Sequence, residues 1–295
     1  MLRRLPFLAG LCAAPLPLAA QDVMTMVIRP IARNTWVVSG FTNGNILVIG
    51  GRTGVLLVDA QSEKRVALAD SAIQTVTSLP VGLVINTHYH DDHIGGNPWW
   101  RRKGADVLGH EALITEAKKD TTIPELEWHR TAATPEAIPN LTFRDSMLIT
   151  HDGERLFVLH PPPAHTSGDA IVWLPARNVM HTGDILEREA PPFIDWWAGG
   201  SLDGMIAGVD FINARINDST ILVPGHGTPA NRAGLLAYRA MLVAARERIG
   251  ALLREGKTLD DVVAARPLRD FEAMLGSERR TGQFVWQVGR GLSGR

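Results

Sequence analysis

Short apolar runs, broken by Gly, Asn, Thr and Pro, alternate along this chain with longer stretches of helical periodicity. Residues 24–60 hold successive short runs. Thr35 to Val38, Asn45 to Ile49 and Gly54 to Val58 are rich in β-branched residues and separated by turn formers, so each predicts a strand. Val66, Ala69, Ile73 and Val76 recur at helical spacing behind Ser62, which predicts an amphipathic helix from Ser62 to Thr77 with Ser62 as N-cap. Val81 to Asn86 predicts a buried strand. Asn97 then caps a short helix to Lys103, with Pro98 at its first position. Ala105 to Leu108 predicts a strand, and His110 opens a helix over Glu111 to Lys119. Asp120 to Asn140 carries several Pro and Thr with little periodicity and reads as an irregular excursion near a site mouth. Leu141 to Asp145, Met147 to Thr150 and Arg155 to Leu159 predict a second sheet. Ala170 to Leu174, Asn178 to Met180 and Thr220 to Val223 are further strand-like runs. Ser201 caps a helix ending near Asn217, and Asn231 to Glu255 is a long helix. Thr258 to Ala265 opens on a capping-box-like start in which Asp261 replaces the usual Glu or Gln, and Phe271 to Gly291 reads as one helix.

The N-terminus departs from this pattern. Met1-Leu-Arg-Arg4 is positive, Leu5 to Ala20 is apolar, and the run ends in small residues, which predicts a secretory signal peptide over 1–20. Three prolines in the first seventeen residues disfavour a buried helix there. Cys12 is the one cysteine and leaves with the leader, so residues 21–295 are thiol-free, as suits a periplasmic or secreted protein. Residues 21–295 suffice for one large α/β domain, with the C-terminal helices over 232–291 packed on it. The net charge of −1 and the lack of a basic stripe argue against nucleic acid and against a polybasic membrane patch. No stretch after the leader is long and apolar enough to span a bilayer.

The chemistry is concentrated at Thr87-His88-Tyr89-His90-Asp91-Asp92-His93, on a loop leaving the strand at 81–86. His88, His90 and His93 offer imidazole nitrogens and Asp92 a carboxylate, the N/O ligands that zinc takes. The chain has ten histidines, and three within six positions beside two aspartates is not scatter. Three further candidates stand at strand–loop junctions with glycine close by: His165 before the 170–174 strand, Asp184 after 178–180, and His226 after 220–223.

This ordered set closely resembles that of the metallo-β-lactamase superfamily, over roughly Thr35 to Tyr238. The resemblance implies an α/β fold, an αββα sandwich of two mixed β-sheets flanked by helices, with two metals at one edge. It implies that His88, His90 and His165 hold the first ion, that Asp92, His93 and His226 hold the second, and that Asp184 bridges both. The implied cofactor is two Zn2+, with iron or manganese as alternative occupants. The implied reaction is hydrolysis of an ester, lactone, amide or phosphodiester of a small molecule by a hydroxide shared between the metals, with Asp92 as the catalytic residue that orients it. True β-lactamases of the family carry Cys or Ser where this chain has Asp184, which leaves β-lactam hydrolysis as a side activity. Asn43-Gly44-Asn45 and Gly199 to Met205 are similar to segments of exported members. Two other readings use the same residues: an iron-dependent, dioxygenase-like oxidoreductase, and a non-catalytic periplasmic metal-binding accessory protein.

Other polar and aromatic residues are weighed against these. Asp59 reads as a supporting acid and His181 as structural or supporting. His160 reads as structural, His151 as solvated, and His129 as an exposed loop residue. The apolar loop from Glu187 to Gly200 supplies Phe193, Trp196 and Trp197, which read equally as a substrate wall and as core packing.

Overall fold

The computed structural model describes residues 26–40, 43–124 and 128–294. The expected leader over 1–20, Cys12 included, lies outside these residues. The β-branched runs form two sheets. In the first, β1 (Val27–Ala32), β2 (Thr35–Gly40), β3 (Asn43–Gly50) and β4 (Val55–Val58) pair antiparallel in sequence order. From β4 the sheet continues in parallel through β5 (Val81–Ile85), β6 (Asp106–His110) and β9 (Leu141–Phe143). In the second, β10 (Ser146–His151), β11 (Glu154–Leu159), β12 (Ile171–Leu174) and β13 (Val179–Glu187) pair antiparallel, and β14 (Ile221–His226) joins β13 in parallel. Both sheets are therefore mixed. A small hairpin of β7 (Thr121–Ile123) and β8 (Trp128–Arg130) lies in the 120–140 excursion.

Strand periodicity explains the layering. In β3, Leu47 and Ile49 face one side and Ile46 and Val48 the other, yet all four are buried. The first pair meets Leu156, Val158, Val172 and Val223 of the second sheet, which forms the inter-sheet core. The second pair packs under α1 (Val66–Gln74) and α3 (Asn97–Arg102) through Val66, Ala69, Ile73 and Trp100. The outer face of the second sheet, with Ile171, Met180 and Leu222, is covered by α5 (Leu202–Asn213), α6 (Arg232–Arg254), α7 (Leu259–Ala264) and α9 (Glu278–Leu292). The result is an αββα sandwich. Strands buried on both faces read as continuous apolar runs, as β4 (Val-Leu-Leu-Val) does.

Several elements differ from the sequence expectation. Leu141–Phe143 joins the first sheet beside β6, and only the run after Arg144-Asp145 enters the second. Asn97 does not cap α3. Gly96 precedes the helix, and the Asn97 amide turns inward, donating to Asn86 Oδ1 (2.8 Å) and Ala137 O (2.6 Å). The Ser62 side chain does not cap α1, which starts at Val66; the Ser62 carbonyl accepts from Arg65 N and Val66 N in a preceding turn. The 271–291 run is broken at Gly276 (φ +92°), between the short α8 (Glu272–Leu275) and α9, which Ser277 caps. His129 is exposed but lies in the β7–β8 hairpin. His151 is half-buried, with Nε2 out of solvent and without a hydrogen-bond partner, where solvation was expected. The capping box at Thr258 forms in full with Asp261.

Candidate metal centre

The loop after β5 is tied before it presents any ligand. Thr87 N donates to Asp59 Oδ1 (2.7 Å), Thr87 Oγ1 to Asp59 Oδ2 (2.8 Å), and Asn86 Nδ2 to His93 O (2.9 Å). His90 then precedes a single helical turn, α2 (Asp91–Ile94), that carries Asp92 and His93. Opposite it, the second sheet brings His165 from the β11–β12 connection, Asp184 from within β13 at a register shift, and His226 from the end of β14. Asp169 shapes the His165 turn by accepting from the backbone N–H groups of His165 (2.8 Å) and Thr166 (3.0 Å).

All seven predicted ligands come together, in two sets whose donor atoms lie within 4.8 Å of one another: His88, His90, His165 and Asp184; and Asp92, His93 and His226. In the first set, His90 Nδ1 stands 3.0 Å from His88 Nε2 and 3.1 Å from His165 Nε2. In the second, His226 Nε2 lies 3.2 Å from Asp92 Oδ2 and 3.4 Å from His93 Nε2. Asp184 touches both sets. Its Oδ2 is 3.6 Å from His88 Nε2 and 3.4 Å from His226 Nε2, and its Oδ1 is 3.4 Å from His93 Nε2.

The outward nitrogens fix what the inward ones must be. His165 Nδ1–H donates to the Phe193 carbonyl (2.7 Å), which can only accept, so its Nε2 carries a lone pair. His93 Nδ1–H donates to Asp59 Oδ2 (2.7 Å), and His90 Nε2–H to Asp195 Oδ2 (3.0 Å). Thr87 Oγ1 has given its proton to Asp59, so it accepts from His88 Nδ1–H (3.1 Å). The imidazole lone pairs of His88, His90 and His165 thus converge on one another with no proton between them, and buried Asp184 Oδ1 has no hydrogen-bond partner. Such a donor set is repulsive by itself and fits cations; ligating histidines held from behind by carboxylates and carbonyls are the usual arrangement at metals.

Burial and the neighbouring carboxylates shift the candidate ligands in opposite directions. Burial opposes the charge on Asp184, but His93, His226 and His88 hold its carboxyl well below the usual range. Burial lowers His93, yet Asp184, Asp92 and Asp59 outweigh it and push it up to about 9. Burial lowers His165 to about 4, and burial together with Asp184 raises Glu187 to about 8. The open side is lined by Asp92, His226 and His90, whose side chains are 28%, 21% and 13% exposed; Asp184, at 5%, lies beneath them.

The remaining predicted residues divide. Phe193 sits at the centre, its ring 5.8 Å from that of His90 and 6.1 Å from that of His165. Trp196 packs at a tilt against Trp197 (4.2 Å) and approaches Trp286 of α9 (6.5 Å), so one loop touches both the candidate ligands and α9. Asp59 is the supporting acid that its position suggests. His181 is buried off the ligand sets, its Nδ1 accepting from Gly183 N (3.2 Å), and His160 stacks on His110 at 3.8 Å. The Asn43-Gly44-Asn45 segment has a local reason: a Cβ on Gly44 would stand 2.8 Å from the His93 ring. Asn45 Nδ2 reaches Pro224 O (2.9 Å) and Gly227 O (2.8 Å), on either side of His226. Asp195, which also accepts from the Tyr89 hydroxyl, escaped the sequence reading. Its one signal was an acid set between Ile194 and Trp196.

The comparisons with known proteins agree with this geometry. The "Metallo-beta-lactamase type 2" of Bacteroides fragilis is 26% identical over 190 residues, 63% of this chain and 69% of its own. "Metallo-beta-lactamase IND-1" of Chryseobacterium indologenes is 25% identical over 220 residues, 71% of this chain and 86% of its own. Among solved structures, a metallo-beta-lactamase from Pontibacter korlensis superposes with a TM-score of 0.62 at 20% identity, over 74% of this chain and 99% of that one. The family model described as "Metallo-beta-lactamase superfamily" matches residues 39–232, a span that holds all seven candidate ligands. With its two mixed sheets and this match over most of its length, the chain belongs to the metallo-β-lactamase superfamily.

Proposed function

We propose that this protein is a dinuclear zinc hydrolase that cleaves an ester, lactone, amide or phosphodiester bond of a small molecule, with β-lactams as side substrates. The observation that carries the reading is the convergence of two ligand sets on a shared carboxylate, Asp184, whose buried Oδ1 has no hydrogen-bond partner. His88, His90 and His165 would hold one ion, Asp92, His93 and His226 the other, and Asp184 would serve both. When bound, such a pair of ions supplies a water nucleophile at neutral pH and positive charge for a developing oxyanion. The rest falls to the chain. Asp92 is the carboxylate on the open side and orients the attacking water by accepting its hydrogen bond. Phe193 walls the side next to His90 and His165, and Trp196 and Trp197 follow it in the same loop. No serine or cysteine nucleophile is required. An aspartate at 184, in place of the Cys or Ser of true β-lactamases, favours lactone, thioester or phosphodiester chemistry.

We also place the protein outside the cytoplasm, on the strength of its N-terminal pattern; N-terminal sequencing of the mature chain checks this. The activity is tested by metal analysis of protein purified without added metal, followed by assays on nitrocefin, lactones, p-nitrophenyl esters and bis-p-nitrophenyl phosphate. Near two zincs per chain and turnover of at least one substrate are expected. Stoichiometric iron with little zinc points instead to an oxidoreductase. Silence across the panel with both ions bound sinks the hydrolase.

A further inference from the structure

The segment Phe193-Ile194-Asp195 holds two ligand histidines from behind. The Phe193 carbonyl takes the Nδ1 proton of His165 (2.7 Å), and the Asp195 carboxylate takes the Nε2 proton of His90 (3.0 Å). Asp195 N also donates to His165 O (3.0 Å). The residue between them, Ile194, is held in turn by Gln287 of α9. Gln287 Nε2 donates to Ile194 O (3.2 Å), and Gln287 Oε1 accepts from Ile194 N (3.4 Å). Gln287 is 6% exposed and stands on a helix face otherwise made of Thr281, Phe284, Val285, Val288 and Gly289. A buried amide is costly unless both its donor and its acceptor are used; here both are used on one residue of one loop. Gly291, one turn further on, lets Trp196 lie against the same helix, since a Cβ there would stand 3.3 Å from the indole. Among the described residues, Asp92, His93 and His226 have no hydrogen bond to this segment, and His93 is oriented by Asp59, in the first sheet's loops.

We propose that Gln287 is a positioning residue for one half of the metal centre. Through Ile194 it sets the Phe193 carbonyl and the Asp195 carboxylate, and so the aim of His165 and His90. It does so from a helix that lies outside the span 39–232 matched by the family. The proposal rests on the metal-centre reading above. It also assigns to the C-terminal helices a role beyond covering the second sheet.

The test is chelator competition on the full chain, which reads two stepwise zinc dissociation constants. Gln287→Leu keeps the volume and removes both hydrogen bonds. Because partners behind metal ligands are typically worth 10–100-fold in affinity, and Gln287 acts one bond further out, one constant should weaken by about tenfold while the other moves by less than about twofold. Val285→Ala, a buried neighbour on α9, controls for loss of packing; it should lower the thermal midpoint and leave both constants in place. Gln287→Glu turns a carboxylate oxygen on the Ile194 carbonyl and should weaken the same constant at least as much as Gln287→Leu. Equal weakening of both constants, no change in either, or a Val285→Ala effect on zinc as large as that of Gln287→Leu would overturn the proposal. A wild type that takes up fewer than two ions overturns the metal centre itself, and the positioning role with it.

Discussion

At the scale of single residues, each supporting group is defined by what it can accept. Asp59 takes three protons' worth of hydrogen bonds, from Thr87 N, Thr87 Oγ1 and His93 Nδ1, all at 2.8 Å or less. Asparagine has one accepting oxygen, and its NH2 would face a donor. Asp59→Asn should therefore weaken the ion held by His93 by about 10–100-fold and cost roughly 1–3 kcal/mol for the buried donor left unpaired. Chelator competition and urea unfolding read the two effects, and unchanged zinc affinity would remove Asp59 from the site. Asp184 is the harder loss, since it faces both ligand sets. Asp184→Asn should lower turnover by more than about 100-fold, beyond the effect of any group behind a ligand, with the circular dichroism spectrum intact. Undiminished turnover would show that no shared carboxylate is needed. The clustering of the candidate ligands was legible in the chain, because metal chemistry restricts the residue types and loops after strands restrict their places. Their supports were less so. A backbone carbonyl such as Phe193 O has no residue signature, and Asp195 is an acid that only the folded loop brings to His90.

Elements were legible where one pattern decided them. The capping box at Thr258, the Ser201 cap of α5 and the strands β3, β4 and β5 follow from local chemistry. The exceptions were decided at long range. Asn97 was drawn inward by Asn86 and Ala137, and the short β9 strand chose the first sheet by pairing with β6. The Gly199 to Met205 segment shows how an element is fitted to the site. Gly204 lies in the first turn of α5, where a Cβ would stand 2.0 Å from Pro163 O and 2.8 Å from Ser201 Oγ. Alanine there gains about 1 kcal/mol of helix propensity over glycine. A forced contact with backbone costs roughly 1–3 kcal/mol as overpacking, and Pro163 lies two residues before His165. The clash should win. Gly204→Ala is expected to be less stable in urea and to release zinc more readily, whereas a gain in stability would mean that the α5 start can shift freely away from the His165 turn.

For the whole molecule, the telling fact is which layer supplies which ligand. His88, His90, Asp92 and His93 follow β5 of the first sheet; His165, Asp184 and His226 belong to the second. Each ligand set draws on both sheets, so each ion would act as a cross-link between the two halves of the sandwich. The inter-sheet core of Leu47, Ile49, Val58, Val158, Val172 and Val223 joins the same halves without metal, so the fold should survive metal removal at reduced stability. An ion present at about 100 times its dissociation constant stabilises the folded state by roughly 2.7 kcal/mol. Two such ions contribute about 5 kcal/mol, and a domain of this size shifts by about 2–4 °C per kcal/mol, so chelation should lower the thermal midpoint by roughly 10–20 °C. Scanning the protein with and without a strong chelator, then after zinc is restored, measures this directly. A midpoint that moves by less than about 3 °C would mean that the ligand sets do not bind two ions tightly across the sheets. A complete loss of cooperative unfolding in the chelated protein would mean that the apolar layer between the sheets does not hold them together by itself.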